Sequence, residues 1–384
     1  MKNLKKRILS LITAAAVAFG SIGALPETVL LPDLSVTASA ETEFTEAATW
    51  TELKDALTAG GDVRLTGNVT AGNSDTALVV PSGKTVTLDL NGHTIDRGLK
   101  GKDAVSDNVI TVRGNLTLTD SSTGEPGTIT GGKTNGNGGG VYVNGTFTMS
   151  GGTISDCSAT WGGGVYVNGG EFTMQGGTIS GCSANYGGGV YVNGGEFTMS
   201  GDTISGCSAG FGGGVYVKNG ATFTMSGGTI SGCPSNGYGG GVYVNDTFTM
   251  SGGTISCCGA GRGGGMYVDT DGTFNVSGAP VISGNTEDNK ANNVVFQSSH
   301  PTKTINVIGE LTTGTTGASI YVNAGKDEAV AVGSDYTLKA EDAECFHSDS
   351  DGLASVLVTD IVNITLHIFS KIASSDENPH SHVA

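Results

Sequence analysis

The residues most able to do chemistry in the regular part of the chain are carboxylates, and they are few. Glu171 and Glu196 occupy equivalent places in a repeated motif, so stacking of successive repeats would place them about 4.8 Å apart. Carboxyl groups separated by about 5 Å can serve as the nucleophile and the acid of a retaining glycosidase. Since no histidine or basic residue recurs beside them, we prefer to interpret them as an exposed pair on a turn.

A second candidate for chemistry is the sequence Asp269-Thr270-Asp271-Gly272, which resembles the start of a calcium-binding loop. The remaining ligands of such a loop are missing from the residues that follow it. We therefore expect no cofactor and no metal site, with calcium at this segment as the alternative.

Five of the seven cysteines recur at one position of the motif, three residues after its isoleucine. They are Cys157, Cys182, Cys207, Cys233 and Cys258, and Asn285 takes the same position in the sixth copy. We expect these side chains to point inward as small buried groups. In-register stacking would aim the thiols in parallel, which favours free thiols; disulfides and a metal or redox role are the alternatives. Cys257 is expected to face outward and is the candidate for a reactive thiol, whereas Cys345 has no evident partner.

Two rows of aromatic residues recur with the same period, and we predict that both rows are exposed. The first row is the tyrosine of the motif: Tyr142, Tyr166, Tyr191, Tyr216, Tyr243 and Tyr267. The second row precedes a glycine triplet and consists of Trp161, Tyr186, Phe211 and Tyr238, with Arg262 closing it. Rings with apolar faces and polar tips suit sugars and protein partners. The candidate binding residues are therefore Trp161, Tyr186, Phe211, Tyr238, Tyr166, Tyr191, Tyr216 and Tyr243. Alternatively, the rings only cover the backbone and one another.

The repeat itself indicates which elements position these residues. Gly-Gly-Gly-Val-Tyr-Val begins at Gly138 and recurs, with one Val-to-Met change, at Gly162, Gly187, Gly212, Gly239 and Gly263. Each copy contains three short alternating pieces (VYV, EFTM and GTIS in the second copy), as strands do. Such strands cannot enclose a core alone, but stacked copies can. Stacking predicts two internal ladders: Phe147, Phe172, Phe197, Phe223, Phe248 and Phe274; and Ile154, Ile179, Ile204, Ile230, Ile255 and Ile282.

Units such as GGGVYVNGGEFTMQGGTISGC (Gly162–Cys182) make the chain resemble the right-handed parallel β-helix, pectin-lyase-like surface proteins of Gram-positive gut bacteria. The segment TWTELKDALTAGG (Thr49–Gly61) extends the resemblance upstream. It implies an all-β, right-handed, three-faced solenoid whose first coil is capped by a short N-terminal helix, through Trp50, Leu53, Ala56 and Leu57. Enzymes of this fold cleave polysaccharides with clustered carboxylates on adjacent coils, and the Asn-Thr-Asp, Asp-Asp, Gly-His-Gly and Arg-Ile-Lys signatures of its hydrolases are missing here.

The chain divides into six predicted segments. Residues 1–40 are a signal peptide, with a basic start, an apolar run from Ile8 to Phe19 and a cleavage site after Ala40. Residues 41–61 form the cap, 62–137 irregular coils, and 138–285 the regular repeats of 24–27 residues. Residues 286–366 form irregular C-terminal coils and a closing region, and 367–384 a disordered tail. No second long apolar run occurs, so we expect no transmembrane segment in the mature chain.

Composition narrows the class of partner. The chain has 384 residues, of which 65 are glycine and 14% are charged, and its formal net charge is −17. Nucleic acid and anionic lipid would need basic patches, so neither is expected as a partner. We therefore predict a secreted or cell-surface, non-catalytic protein of adhesin type that binds polysaccharide, mucin glycan or host protein. The alternative is a polysaccharide lyase or glycoside hydrolase, with its site on the irregular coils 62–130 or 286–366.

Overall fold

The computed structural model describes residues 43–99, 107–300, 304–323, 330–333, 336–349, 353–359 and 364–370. The predicted signal peptide lies outside these residues, as does the end of the predicted tail, 371–384. Among the described residues, no helix has both the length and the apolar composition needed to span a membrane.

The predicted cap is a helix, Trp50–Ala59. A capping box begins it: the Thr49 hydroxyl accepts from the Glu52 amide at 3.3 Å, and the Glu52 carboxylate accepts from the Thr49 amide at 3.1 Å. Its inner face is the predicted set, because Trp50, Leu53, Ala56 and Leu57 are all buried. The helix therefore covers apolar groups at the open end of the first coils.

The strands stack in parallel columns, with equivalent residues of successive coils directly paired. In one column, for example, Val165 pairs with Val190 and Tyr166 with Tyr191. We name the columns by their repeating residue. The valine column contains Leu78–Val80, Ile110–Val112, Val141–Val143, Val165–Asn168, Val190–Asn193, Val215–Val217, Val242–Val244, Met266–Val268 and Val294–Phe296.

Two further columns carry the phenylalanine and isoleucine ladders. The phenylalanine column contains Thr45–Ala47, Gly61–Leu65, Thr85–Asp89, Asn115–Thr119, Thr146–Ser155, Glu171–Ser180, Glu196–Met199, Thr222–Met225, Thr247–Met250, Thr273–Gly278, Thr304–Leu311 and Val330–Gly333. The isoleucine column contains Val69–Thr70, Thr94–Asp96, Thr128–Thr130, the second halves of Thr146–Ser155 and Glu171–Ser180, then Thr203–Ser205, Thr229–Ser231, Thr254–Ser256, Val281–Ser283, Ser319–Val322 and Phe346–Ser348.

The fold is thus a right-handed parallel β-helix solenoid, as predicted, and both internal ladders are confirmed. The six phenylalanines are at most 1% exposed, and successive rings stack with centroids 4.7–5.5 Å apart. The six isoleucines are fully buried. Alternation explains this core, since the residues that flank each isoleucine lie on the opposite face of the strand; they are Thr and Ser in the first five copies and Val281 and Ser283 beside Ile282.

The repeated cysteines also lie inside, as predicted, and are free thiols. Each sulfur from the second copy onward contacts two carbonyl oxygens; for Cys182 these are Ile154 O at 3.8 Å and Ser180 O at 3.5 Å. Cys257 is exposed, as predicted, in a left-handed backbone conformation with φ 55°. Cys345 is buried and free.

The C-terminal part departs from the expected coils. After a 3-10 helix, Ala340–Cys345, and the strand Phe346–Ser348, the last two strands that the structure describes, Leu353–Thr359 and Ile364–Ser370, pair with each other antiparallel. The second of them also pairs antiparallel with Val330–Gly333. The predicted segment 286–366, which combines irregular coils with a closing region, therefore ends in antiparallel strands, and the second of these strands reaches four residues into the predicted tail.

Candidate functional site

Each regular coil contains a fourth short strand that the sequence pattern did not predict. We name these strands the aromatic column: Ser158–Trp161, Ser183–Tyr186, Ser208–Phe211, Pro234–Tyr238, Gly259–Arg262, Thr286–Glu287 and Lys290–Ala291. The second predicted aromatic row lies in this column, and its residues pair in register between neighbouring strands. Trp161 pairs with Tyr186, Tyr186 with Phe211, Phe211 with Tyr238, and Tyr238 with Arg262. At the spacing of neighbouring strands, this row is about 19 Å long.

The glycine triplet after each strand sets the distance between the aromatic column and the valine column. Gly162 has a φ of 67°, which favours glycine. A Cβ added to Gly163 would lie 2.5 Å from the carbonyl oxygens of Gly188 and Ser183. The turn is therefore too tight for any side chain, and it brings the two columns together so that their aromatic rings meet.

The motif tyrosines form one continuous stack. Ring centroids from Tyr142 to Tyr267 are 4.6–5.5 Å apart, and the planes of successive rings differ by 4–25°. Tyr166, Tyr191 and Tyr243 are only 6%, 6% and 8% exposed. Tyr267 is also buried, at 2% exposed. The prediction that this row is an exposed face is therefore wrong for these four residues, and Tyr142 and Tyr216 are half-buried.

The second aromatic row is what covers the tyrosine stack. Tyr186 lies edge-on against Tyr216 with centroids 5.7 Å apart, and Phe211 lies edge-on against Tyr243 at 5.9 Å. Edge-to-face packing is favourable because the positive edge of one ring meets the negative face of another. Since neighbouring rings cover their faces, the stacked tyrosines cannot offer those faces to a sugar. For the tyrosine row, the alternative interpretation, in which the rings cover one another, is therefore correct.

Exposure in the second row is uneven. Trp161, at its N-terminal end, is 37% exposed, and Tyr186, Phe211 and Tyr238 are half-buried. Arg262, at the other end, is exposed. The predicted binding surface is therefore reduced to the Trp161 side chain, the outer parts of three rings, and one guanidinium group.

The tyrosine hydroxyls lie beside the turn that contains the predicted calcium segment. The Tyr243 hydroxyl donates to Asp269 Oδ2 at 2.6 Å, and the Asn245 side chain donates to the same oxygen at 3.1 Å. Burial, together with this hydrogen bond and the nearby carboxylate, holds the pKa of Tyr243 well above its usual value. Burial also raises the pKa of Tyr216 to about 12. Asp269 Oδ1 accepts from the Thr270 amide at 2.8 Å, so this carboxylate is engaged within the protein.

The predicted carboxylate pair is also in place. Glu171 and Glu196 pair directly in neighbouring strands, and both are exposed. Thr146 and Thr222 occupy the equivalent positions in the coils on either side. Within the described residues, no group of three or more His, Cys, Asp or Glu side chains is arranged to hold a metal ion.

A cleft at the C-terminal end of the aromatic column was missed by the sequence analysis. It has a volume of about 530 Å³ and is lined by Glu287, Asp288, Lys290, Asn292, Asn323 and Asp349. Its first wall is an antiparallel hairpin in which Glu287 pairs with Lys290. The turn residues Asp288 and Asn289 have φ values of 47° and 62°, as a two-residue hairpin loop requires. The Asp-Asn pair was the signal that could have predicted this hairpin.

Buried amides hold the cleft in shape. Asn292 Oδ1 accepts from the amides of Gly263 and Gly264 at 2.5 and 3.3 Å, and Asn292 Nδ2 donates to Glu287 Oε2 at 2.8 Å. Asp349 accepts from the Asn293 amide at 2.7 Å and from the Asn293 side chain. Burial raises the pKa of Asp349, and the hydrogen bonds from Asn293 oppose that rise.

A family model described as a right-handed β-helix region matches residues 139–335. No curated protein matches the chain, and no solved structure matches it.

Proposed function

Because the chain belongs to the right-handed β-helix family, in which one fold supports unrelated activities, its function has to be argued from its own surface. We propose that it is a secreted or cell-surface, non-catalytic protein of adhesin type. Its ligand, a polysaccharide, a mucin glycan or a host protein, would lie along the outer side of the aromatic column. The solenoid would serve as a rigid support for that extended contact.

The exposure of Trp161 at the start of an aligned row is the observation that carries this proposal. An exposed tryptophan offers a large, rigid apolar area and an N–H donor, which suits both sugars and protein surfaces. The half-buried rings of Tyr186, Phe211 and Tyr238 continue the strip across the next coils, held in place by packing on the tyrosine stack. A ligand would therefore meet a surface whose rings are already ordered, which lowers the entropic cost of binding.

The surroundings of the carboxylates support a role without catalysis. Glu171 and Glu196 are exposed and have threonines as their in-register neighbours. In the irregular N-terminal coils, the buried Asp89 accepts from Arg64 at 2.8 Å and from the Ser121 hydroxyl at 2.7 Å. Such a carboxylate holds a turn together, and its oxygens are already engaged.

The test is binding of the purified protein to a glycan and mucin array with calcium present, with product ends assayed in the same wells. We expect retention without new ends, and a loss of most retention in Trp161→Ala. Ile308→Ala is the matched control, because Ile308 is similarly exposed at 39% but lies in the phenylalanine column. Equal binding by the two variants would show that the ligand does not bind along the aromatic column. New reducing or unsaturated ends would instead favour the lyase or hydrolase alternative.

Export is tested separately. If the first 40 residues are removed on secretion, the protein recovered outside the cell has Glu41 as its first residue. Mass spectrometry of the intact secreted protein measures this directly, and an unprocessed N-terminus inside the cell would contradict it.

A further inference from the structure

The aromatic column leads directly to the cleft lined by Glu287, Lys290 and Asn323. We propose that this cleft binds the terminal unit of a neutral or amino-sugar saccharide chain whose body lies along the column. The inference rests on the proposed function, and it adds the position of the chain end and the chemical class of the ligand.

The cleft exists because the columns end at different heights. Among the described residues, the aromatic column ends with the hairpin strand Lys290–Ala291, whereas the isoleucine column continues with Ser319–Val322 and Phe346–Ser348. Asn323 and Asp349, which directly follow those two strands, therefore form a wall opposite the hairpin. An open space of about 530 Å³ lies in the range of small-molecule sites.

Hydrogen bonds and strand pairing connect the residues of the cleft to the end of the aromatic row. Asn292, a cleft residue, accepts from the amides of Gly263 and Gly264, the two residues that follow Arg262. Arg262 is itself in register with Tyr238. A linear ligand that follows the rings from Trp161 to Tyr238 therefore arrives at the mouth of the cleft.

The polar groups of the cleft suit the hydroxyls of a sugar. Asn323 and Lys290 supply hydrogen-bond donors, and Asp288 and Glu287 Oε1 supply acceptors. Among the described residues, none of these groups has a side-chain partner, so they can bond to a ligand. Asn292 and Asp349 are locked by their own hydrogen bonds, so the walls are ordered before a ligand binds.

The charged side chains that line the cleft favour some classes of sugar over others. The lining contains three carboxylates, Glu287, Asp288 and Asp349, and one ammonium group, Lys290. An anionic unit, such as a uronic or sialic acid, would be repelled by this surplus of negative charge, whereas a neutral or positively charged amino sugar would not.

The test is titration calorimetry of the full chain with short neutral, amino-sugar and uronic-acid oligosaccharides. We expect binding of the first two classes only, and a threefold to tenfold loss of affinity in Asn323→Ala, about 0.65–1.4 kcal/mol, as for a lost neutral hydrogen bond. The loss in Asp288→Ala should be larger, because hydrogen bonds to a carboxylate are charge-assisted. Asn219→Ala is the matched control, because Asn219 is an exposed turn asparagine away from the cleft. Unfolding curves of all variants show whether the fold is kept.

The outcomes separate this inference from the proposed function. Glycan binding that is lost in Trp161→Ala but unchanged in Asn323→Ala and Asp288→Ala would overturn the cleft site and leave the proposed function standing. Preferred binding of uronic-acid oligosaccharides would overturn the ligand class. If the protein bound no glycan and no mucin, the glycan form of the proposed function would fail and the cleft site with it.

Discussion

Cys258 and Asn285 occupy the same position in successive coils and bond to equivalent pairs of carbonyl oxygens. Cys258 Sγ lies 3.8 Å from Ile230 O and 3.3 Å from Ser256 O. Asn285 Nδ2 donates to Ile255 O at 2.9 Å and to Ser283 O at 3.2 Å, and Asn285 Oδ1 accepts from the Cys258 amide at 3.0 Å. The thiols therefore do the work of an inward-pointing asparagine, with a weaker donor.

This equivalence predicts how position 258 tolerates substitution. Cys258→Asn should keep both contacts and change the free energy of unfolding by less than about 1 kcal/mol, whereas Cys258→Ala loses buried volume and should cost about 1–2 kcal/mol. Urea unfolding of the two variants measures the difference. Equal stability of the Ala and Asn variants would show that the contacts with Ile230 O and Ser256 O contribute nothing.

The thiols differ in reactivity. A hydrogen bond involving Cys207 and burial raise the pKa of Cys233 to about 12, whereas Cys257 is exposed. Since the thiolate is the reactive form, alkylation at pH 8 followed by mass spectrometry should modify Cys257 alone in the folded protein, and all seven cysteines after unfolding. Cys257→Ser should then remain unmodified while folded. Labelling of Cys207 or Cys233 in the folded parent protein would contradict the prediction that the buried thiols are inaccessible to the reagent.

Asp202 is a buried carboxylate at a bend where the equivalent residue of the neighbouring coils is glycine, as at Gly177 and Gly228. Neither of its oxygens has a hydrogen-bond partner among the described residues, and burial raises its pKa to about 6. In the folded state the proton is therefore held more tightly than in the unfolded chain. The contribution of Asp202 to the free energy of unfolding should therefore be greatest below pH 4, fall as the pH rises from about 4 to 6, and then level off.

Asp202→Asn tests this expectation because it removes the charge and keeps the shape. Raising the pKa of this carboxyl from 3.8 to about 6 corresponds to at most roughly 3 kcal/mol, and contact with water would lower that figure, so the variant should be stabilised by up to that amount at pH 7 and by little at pH 4. Thermal unfolding at both pH values measures this, with Asp271→Asn as the exposed control. A variant no more stable than the parent at pH 7 would show that the carboxylate is solvated.

The glycine triplet should not accept a side chain at its middle position. A Cβ at Gly188 would lie 2.5 Å from the carbonyl oxygens of Gly213 and Ser208, so Gly188→Ala should destabilise the fold by about 3 kcal/mol or more and loosen the contact between Tyr186 and Tyr216. Gly67→Ala is the control, because nothing lies within 4 Å of that position and its φ is not positive. Near-ultraviolet circular dichroism and urea unfolding report the two effects, and a Gly188→Ala protein as stable as Gly67→Ala would contradict the tight turn.

Much of the fold was determined by the sequence alone. Because the same residues recur at nearly the same spacing, stacking places Phe172 on Phe147 and Cys182 above Cys157, and alternation assigns them to the interior. The cap helix was equally accessible, since its capping box and its apolar face lie within Thr49–Ala59. These features depend on local pattern and on the repeat period, which a sequence contains in full.

Exposure outside the solenoid core was decided only by the tertiary structure. Alternation directs Tyr166 and Tyr191 away from the core, but it cannot reveal that a neighbouring strand covers that side. The cover depends on the tight turn at the glycine triplet, which brings Tyr186 against Tyr216. The cleft beside Asn323 likewise results from columns of unequal length, and the end of a column depends on long-range pairing, which no local pattern records.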